Sequence, residues 1–170
     1  MQSFNRRMMI KAVGSSVVLG GLGATASAQD DDDDEEPEYG DWFDDVDNYE
    51  ETEDLTDEDE DEDEDEVTVD VGAGDDGYQF DPPAIRIAQD TTVVWEWTGE
   101  GGEHNVVHVP EEEEEQEIPN ATDADEPVFE TEITDEEGFT FEHQFEDTGT
   151  YLYVCEPHRQ QGMKGAVVVE

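Results

Sequence analysis

Three side chains that can bind a metal lie within nine residues near the end of the chain: the thiol of Cys155, the imidazole of His158 and the thioether of Met163. Cys155 is the only cysteine, so it cannot form a disulfide within the chain. Soft sulfur together with imidazole selects copper over magnesium, calcium or manganese. Two histidines, one cysteine and a weak methionine form the ligand set of a blue-copper electron-transfer site.

The second histidine that such a site needs is His104, in a glycine-rich stretch far upstream. We therefore predict one copper ion, cycling between Cu(II) and Cu(I), with these ligands: His104, Cys155, His158 and Met163. Pro157 and the turn after it would fold the chain back so that the ligands of the loop face one point. The alternative is a buried cysteine, a surface histidine and a core methionine that do not meet. Zinc is the chemical runner-up, but structural zinc sites use Cys and His without Met.

The other two histidines are not expected to bind this metal. His108 follows His104 by four residues, which is ~13 Å along a strand at ~3.3 Å per residue, too far to share one ion. His143 lies among alternating phenylalanines, where we expect a core or rim position.

From Val67 onwards, apolar and polar residues alternate in short runs with glycine-containing turns between them. Seven or eight short strands without a helical period predict an all-β domain over 67–170, built as a β-sandwich. The runs are Val67–Val71, Ile85–Ile87, Val93–Trp97, His104–His108, Val128–Thr131, Phe139–Phe145, Tyr151–Cys155 and Ala166–Val169.

Four segments resemble the cupredoxins, and among these the halocyanins, the plastocyanin-like proteins of halophilic archaea. They are Tyr39–Tyr49, Phe80–Ile85, Thr92–Val107 and Gly149–Gly165, so the resemblance covers about residues 39 to 170. It implies a cupredoxin-type Greek-key sandwich and a blue copper electron carrier, not an enzyme, that links respiratory redox proteins outside the cytoplasmic membrane. It also implies that Asn105 ties the His104 strand to the cysteine loop by hydrogen bonds, so Asn105 and Pro157 support the ligands.

Two other functions are compatible with the same residues. One is a copper carrier or buffer at the cell surface, and the other is a structural surface module whose copper site is incidental. An intense blue colour of the bound copper with reversible redox cycling favours the electron carrier. A colourless copper ion that is easily released favours the copper carrier or buffer.

The net charge of −47, from 53 acidic and 6 basic residues, limits the partners further. Nucleic acids and anionic lipid surfaces are polyanions and are not expected to bind. Such a charge suits a halophilic protein, because at ~1 M salt the Debye length falls to ~3 Å and self-repulsion is screened. Copper and redox proteins are the partners we expect.

Residues 1–28 are predicted to be a twin-arginine-type signal peptide. Asn5–Lys11 contains the paired arginines, a modest apolar run follows, and Ala26-Ser27-Ala28 precedes the expected cleavage point. Export to the outer side of the cytoplasmic membrane follows. The alternative is an uncleaved leader, which would be the only contact with a membrane surface.

Residues 29–66 form an acidic low-complexity tract that we expect to be largely disordered, since blocks of like charge repel each other. The aromatic segment 39–49 within it is either a strap that packs on the β domain or a peptide that docks a partner. A second acidic insertion, Glu111–Glu126, includes the N-glycosylation pattern at Asn120, whose use the sequence leaves open.

Overall fold

The computed structural model describes residues 36–56, 66–110 and 126–170. Nine strands lie within these ranges: β1 Glu53–Asp54, β2 Glu66–Ala73, β3 Gln79–Asp81, β4 Ala84–Ile87, β5 Thr92–Trp97, β6 Val107–His108, β7 Thr140–Gln144, β8 Gly149–Val154 and β9 Lys164–Val169. They form a five-stranded sheet in the order β1-β4-β9-β8-β6 and a four-stranded sheet in the order β3-β2-β5-β7. Side chains of both sheets share one hydrophobic core. The predicted all-β cupredoxin sandwich is thus confirmed.

The two sheets differ in how many of their faces are buried. In β2 and β7 the burial alternates from residue to residue, because one face meets the core and the other meets solvent. In β8 and β9 every residue after the first is buried. A strand buried on both faces has such a continuous apolar sequence, so the five-stranded sheet must be covered on its outer face as well.

The cover is the aromatic segment 39–49, which we call the strap. Its apolar side chains form a second cluster with the outer side chains of the sheet: Tyr39, Trp42, Phe43 and Val46 from the strap, with Ala84, Val109, Leu152, Val154, Ala166 and Val168. Of the two roles considered for this segment, this geometry is that of a packed strap.

Some strands differ from the expected ones. The run Val128–Thr131 is not a strand, and only an isolated bridge joins Glu130 to Val107. The short strands β1 and β3 were not expected, because neither has an alternating pattern long enough to recognise. A 3-10 helical segment, Glu156–Gln161, occupies the loop after β8 and is kinked at His158.

Several sequence predictions lie outside the described residues. These are the signal peptide over 1–28, the acidic residues 29–35 and 57–65, and the Asn120 glycosylation pattern. In the ranges that the structure describes, no helix is long and apolar enough to cross a membrane.

Candidate metal centre

The loop between β8 and β9 carries three of the four candidate ligands, Cys155, His158 and Met163. Cys155 keeps an extended backbone and caps the 3-10 helix, Pro157 stands in its first turn, and His158 follows. Gly162 ends the helix with a φ of 82°, which a residue without a side chain adopts without strain. The N–H of Cys155 donates to the carbonyl of Met163 at 3.0 Å, and the N–H of Met163 donates to the carbonyl of His158 at 3.2 Å. The backbone therefore holds Met163 against both Cys155 and His158.

His104 reaches the same place from the segment between β5 and β6. Its backbone exchanges two hydrogen bonds of 2.9 Å with Thr134, which fixes an otherwise irregular stretch of chain. The indole N–H of Trp97 donates to the His104 carbonyl at 3.3 Å. The imidazole is thus carried by a backbone that is anchored on two sides.

Three donor atoms converge although they come from distant parts of the sequence. The Cys155 sulfur lies 3.6 Å from Nδ1 of His104 and 3.4 Å from Nδ1 of His158. The two Nδ1 atoms are 3.1 Å apart. His104, Cys155 and Met163 are fully buried, whereas His158 is partly exposed. Three of the four residues predicted as ligands, His104, Cys155 and His158, therefore have their donor atoms close together. The backbone hydrogen bonds described above place the fourth, Met163, next to Cys155 and His158.

The hydrogen bonding of His104 fits a metal ligand. Its Nε2 lies 2.8 Å from the carbonyl oxygen of Glu100, so Nε2 carries the proton and donates it there. In the neutral ring, Nδ1 is then the nitrogen that can bind a metal, and it lies 3.6 Å from the Cys155 sulfur and 3.1 Å from Nδ1 of His158. Ligating histidines usually donate their other N–H to a carbonyl or carboxylate in this way, which orients the ring.

Asn105 joins the two parts of the site, as the resemblance implied. Its Oδ1 accepts from the N–H of Glu156 at 2.9 Å, and its Nδ2 donates to the Glu156 carboxylate at 2.7 Å. Asn105 is buried and directly follows His104, while Glu156 directly follows Cys155. These two bonds therefore hold the histidine segment against the cysteine loop.

Burial is the main influence on the pKa values of Cys155 and His158. It raises the pKa of the Cys155 thiol, an effect that the backbone N–H groups of Asn105 and His158 partly offset. Burial and the neighbouring His104 lower the pKa of His158. Neutral imidazoles are the form that binds a metal, and a bound cation would replace the thiol proton.

The remaining histidines stay apart from this group, as expected. His108 is buried in β6, and its Nδ1 accepts from the N–H of Val128 at 3.3 Å. His143 in β7 is partly buried and packs edge-on against Phe145, with ring centroids 4.8 Å apart.

Sequence reasoning missed one side chain at the site. The ring of Tyr78 stacks on His158 with centroids 4.4 Å apart and planes 30° apart, and both are partly exposed. Tyr78 lies just before β3, outside any recognisable motif. No local signal could have identified it, because the contact joins residues 80 positions apart.

Known proteins resemble this chain in the same region. Residues 66–170 match the copper binding proteins of the plastocyanin/azurin family. Halocyanin from Natronomonas pharaonis is 55% identical over 100 residues, which are 59% of this chain and 53% of that protein, so the chain spans about half of that relative. Plastocyanin from Scenedesmus fuscus is 33% identical over 100 residues, covering 59% of this chain and 95% of the plastocyanin. A Cu(I) structure of an amicyanin mutant aligns with 23% identity and a TM-score of 0.47 over 62% of this chain and 82% of that one. From the family match and the donor set together, the chain belongs to the plastocyanin/azurin family of copper-binding proteins, with one copper ion as its cofactor.

Proposed function

We propose that this protein is a blue-copper electron carrier in which His104, Cys155, His158 and Met163 hold the ion. The observation that supports it most is the burial of the site: three of these four side chains are inaccessible and only His158 is partly exposed. A protein that delivers copper must let an acceptor reach the ion. A sealed site with one ligand at the surface instead favours exchange of electrons.

Copper bound here supplies one-electron chemistry between Cu(II) and Cu(I). The part of the chain is to keep the donors in one arrangement for both oxidation states. Backbone hydrogen bonds fix Met163, Asn105 fixes the His104 segment, and the Glu100 carbonyl orients the His104 ring. The surrounding apolar core excludes water. Four protein donors leave no position for a substrate, which is why we propose a carrier and not an enzyme.

The partners in this proposal are redox proteins outside the cytoplasmic membrane, reached after export by the twin-arginine route. They would dock at the surface around His158. Pro157, directly before His158, is exposed, and Tyr78, which stacks on His158, is partly exposed. We expect the exposed Gly102, two residues before His104, to border this surface. Because charge attraction is short-ranged in molar salt, apolar contact is the better basis for docking.

The primary test is the absorption and electron-spin spectrum of copper-loaded protein, with reversible reduction and a competing chelator. We expect one copper per chain, an intense thiolate-to-copper colour, and retention of the ion through repeated cycles. A colourless ion that passes readily to the chelator would overturn the proposal in favour of a copper carrier.

The docking surface is tested separately by Pro157→Glu. Val128→Glu is the matched control, since it adds the same charge at another exposed residue, 41% accessible, next to His108. We expect Pro157→Glu to slow bimolecular electron transfer with a redox protein in high salt by more than any change in its own spectrum and reduction potential explains; both are recorded because Pro157 also supports the ligand loop. Val128→Glu should match the wild type in rate, spectrum and potential. Equal rates for the two variants would rule out docking at His158.

A further inference from the structure

The strap contacts the sheet face described above and also the segment of the copper loop around Met163. This segment, which we call the return limb, consists of residues 162–165, from the end of the 3-10 helix into β9. The methionine in its middle is the only candidate ligand followed directly by a strand that the strap covers. Both sides of Met163 are in contact with the strap.

On the N-terminal side, the contact is between backbones. Gly162 turns the chain back with a φ of 82°, and the carbonyl oxygen of Asp45 occupies the place where a side chain would begin. A methyl group at Gly162 would overlap that oxygen. The strap therefore touches the loop one residue before Met163, with no space between them.

On the C-terminal side, the contacts are polar. The Lys164 ammonium donates to the Asp45 carboxylate at 2.5 Å and to the Trp42 carbonyl at 3.3 Å, and it lies 5.4 Å from the centre of the Trp42 ring. The Trp42 indole N–H donates to the carbonyl of Gly165 at 3.2 Å. Lys164 is one of only three basic residues after residue 11, in a chain with 53 acidic ones, and its side chain is mostly buried in these contacts.

The strap is firmly seated, so it can act as a wall for the loop. Trp42, Phe43 and Val46 are buried against the outer face of the sheet. Close by, the Asn48 amide donates to the Phe80 carbonyl at 2.8 Å. Trp42 and the residues on either side of Asp45 in the strap are thus held by the outer face of the sheet, which fixes the backbone that carries Asp45.

We propose that the strap is part of the metal site: Trp42 and Asp45 position the return limb and thereby the thioether of Met163 relative to His104, Cys155 and His158. The inference rests on the proposed function and deepens it. The axial bond in such sites is long and weak, and the axial ligand tunes the potential. A weak bond cannot fix its own length, so the protein around the methionine has to fix it. Here the backbone bonds of Met163 to Cys155 and His158 hold it from within the loop, and the strap holds it from outside.

The test compares Trp42→Phe, which removes the indole N–H and part of the ring area, with Asp45→Asn, which removes the charge facing Lys164. Asp44→Asn is the matched control, because Asp44 is an exposed neighbour with the same charge. In molar salt we expect each of the first two to shift the copper spectrum and reduction potential and to weaken copper binding about 10-fold, as for other residues that support ligands. The control should behave like the wild type.

Two further measurements separate positioning from simple stabilisation. Amide hydrogen exchange of Met163 and Lys164 in the copper-free protein should be faster in Trp42→Phe and Asp45→Asn than in Asp44→Asn. In a Met163→Leu background, the strap substitutions should no longer shift the spectrum, because their effect passes through the thioether; such double-mutant coupling is the direct measure of an interaction.

Variants that melt at lower temperature but keep the wild-type spectrum, copper affinity and Met163 exchange would overturn the inference and leave the strap as a cover. A strap shift that persists in the Met163→Leu background would overturn it too. Failure of the proposed function looks different, since the wild type itself would then give no blue copper centre. In that event the exchange data on the copper-free protein would still decide whether the strap holds the return limb.

Discussion

Replacing Asn105 by alanine tests how the two halves of the site are joined. The substitution removes the acceptor for the N–H of Glu156 and the donor to its carboxylate, both within normal hydrogen-bond distance. It leaves the ligands themselves unchanged. Any effect on copper must therefore come from the loss of the link between the His104 segment and the cysteine loop.

The magnitude follows from the two bonds. A neutral hydrogen bond contributes about 1 kcal/mol to stability, and a bond to a charged group about 1.5–3 kcal/mol. Because Glu156 is exposed, water replaces the lost partner of its carboxylate, so we reduce that contribution to about 1 kcal/mol. We expect a loss of about 2 kcal/mol in the free energy of unfolding of the copper-free protein, or about 30-fold in the equilibrium constant.

Urea unfolding in constant molar salt measures this loss, and competition with a chelator measures copper affinity, which should fall about 10-fold. Tyr151→Phe is the control. It removes the 2.9 Å hydrogen bond from the Tyr151 hydroxyl to the Asp147 carbonyl, near the end of β8 that lies away from Cys155. It should lower stability without changing copper affinity. If Asn105→Ala lowers stability and leaves copper affinity at the wild-type value, the link does not preorganise the site and the reasoning is refuted.

Three other predictions follow from the site, the charge and the buried histidine. Cys155→Ser should abolish the blue colour, whereas Met163→Leu should keep a coloured site with a raised reduction potential; a blue Cys155→Ser protein would contradict the ligand assignment. With a net charge of −47, the protein should unfold on transfer from molar salt to dilute buffer, and sooner without copper, because repulsion is no longer screened; a melting temperature independent of salt would contradict this. Burial, together with nearby His143, lowers the pKa of His108 from 6.5 to about 4. Between these two pH values the unfolded chain binds a proton that the folded chain does not. The free energy of unfolding therefore falls as the pH drops through that window, by at most about 3 kcal/mol. His108→Gln should flatten this part of the curve of urea midpoint against pH, and an unchanged slope would show that another group is responsible.

The sequence by itself was sufficient for the fold class and for the types of ligand. Alternating burial in β2 and β7 is visible as alternating residue types, because the period of a strand is local. The spacing of Cys155, His158 and Met163 is local too, since one loop contains all three. Their chemistry indicated copper before any geometry was known.

Only the tertiary structure decided how distant segments meet. His104 and Cys155 are 51 residues apart, and their approach to 3.6 Å depends on the packing of strands from different parts of the chain. The same holds for the stack of Tyr78 on His158 and for the strap on the return limb, where Trp42 and Gly165 are 123 residues apart. Periodicity records which face of an element is apolar, but it does not record which other element covers that face. The acidic, aromatic strap therefore had two possible roles in the sequence, and its packing against the sheet and beside Met163 is decided by long-range burial alone.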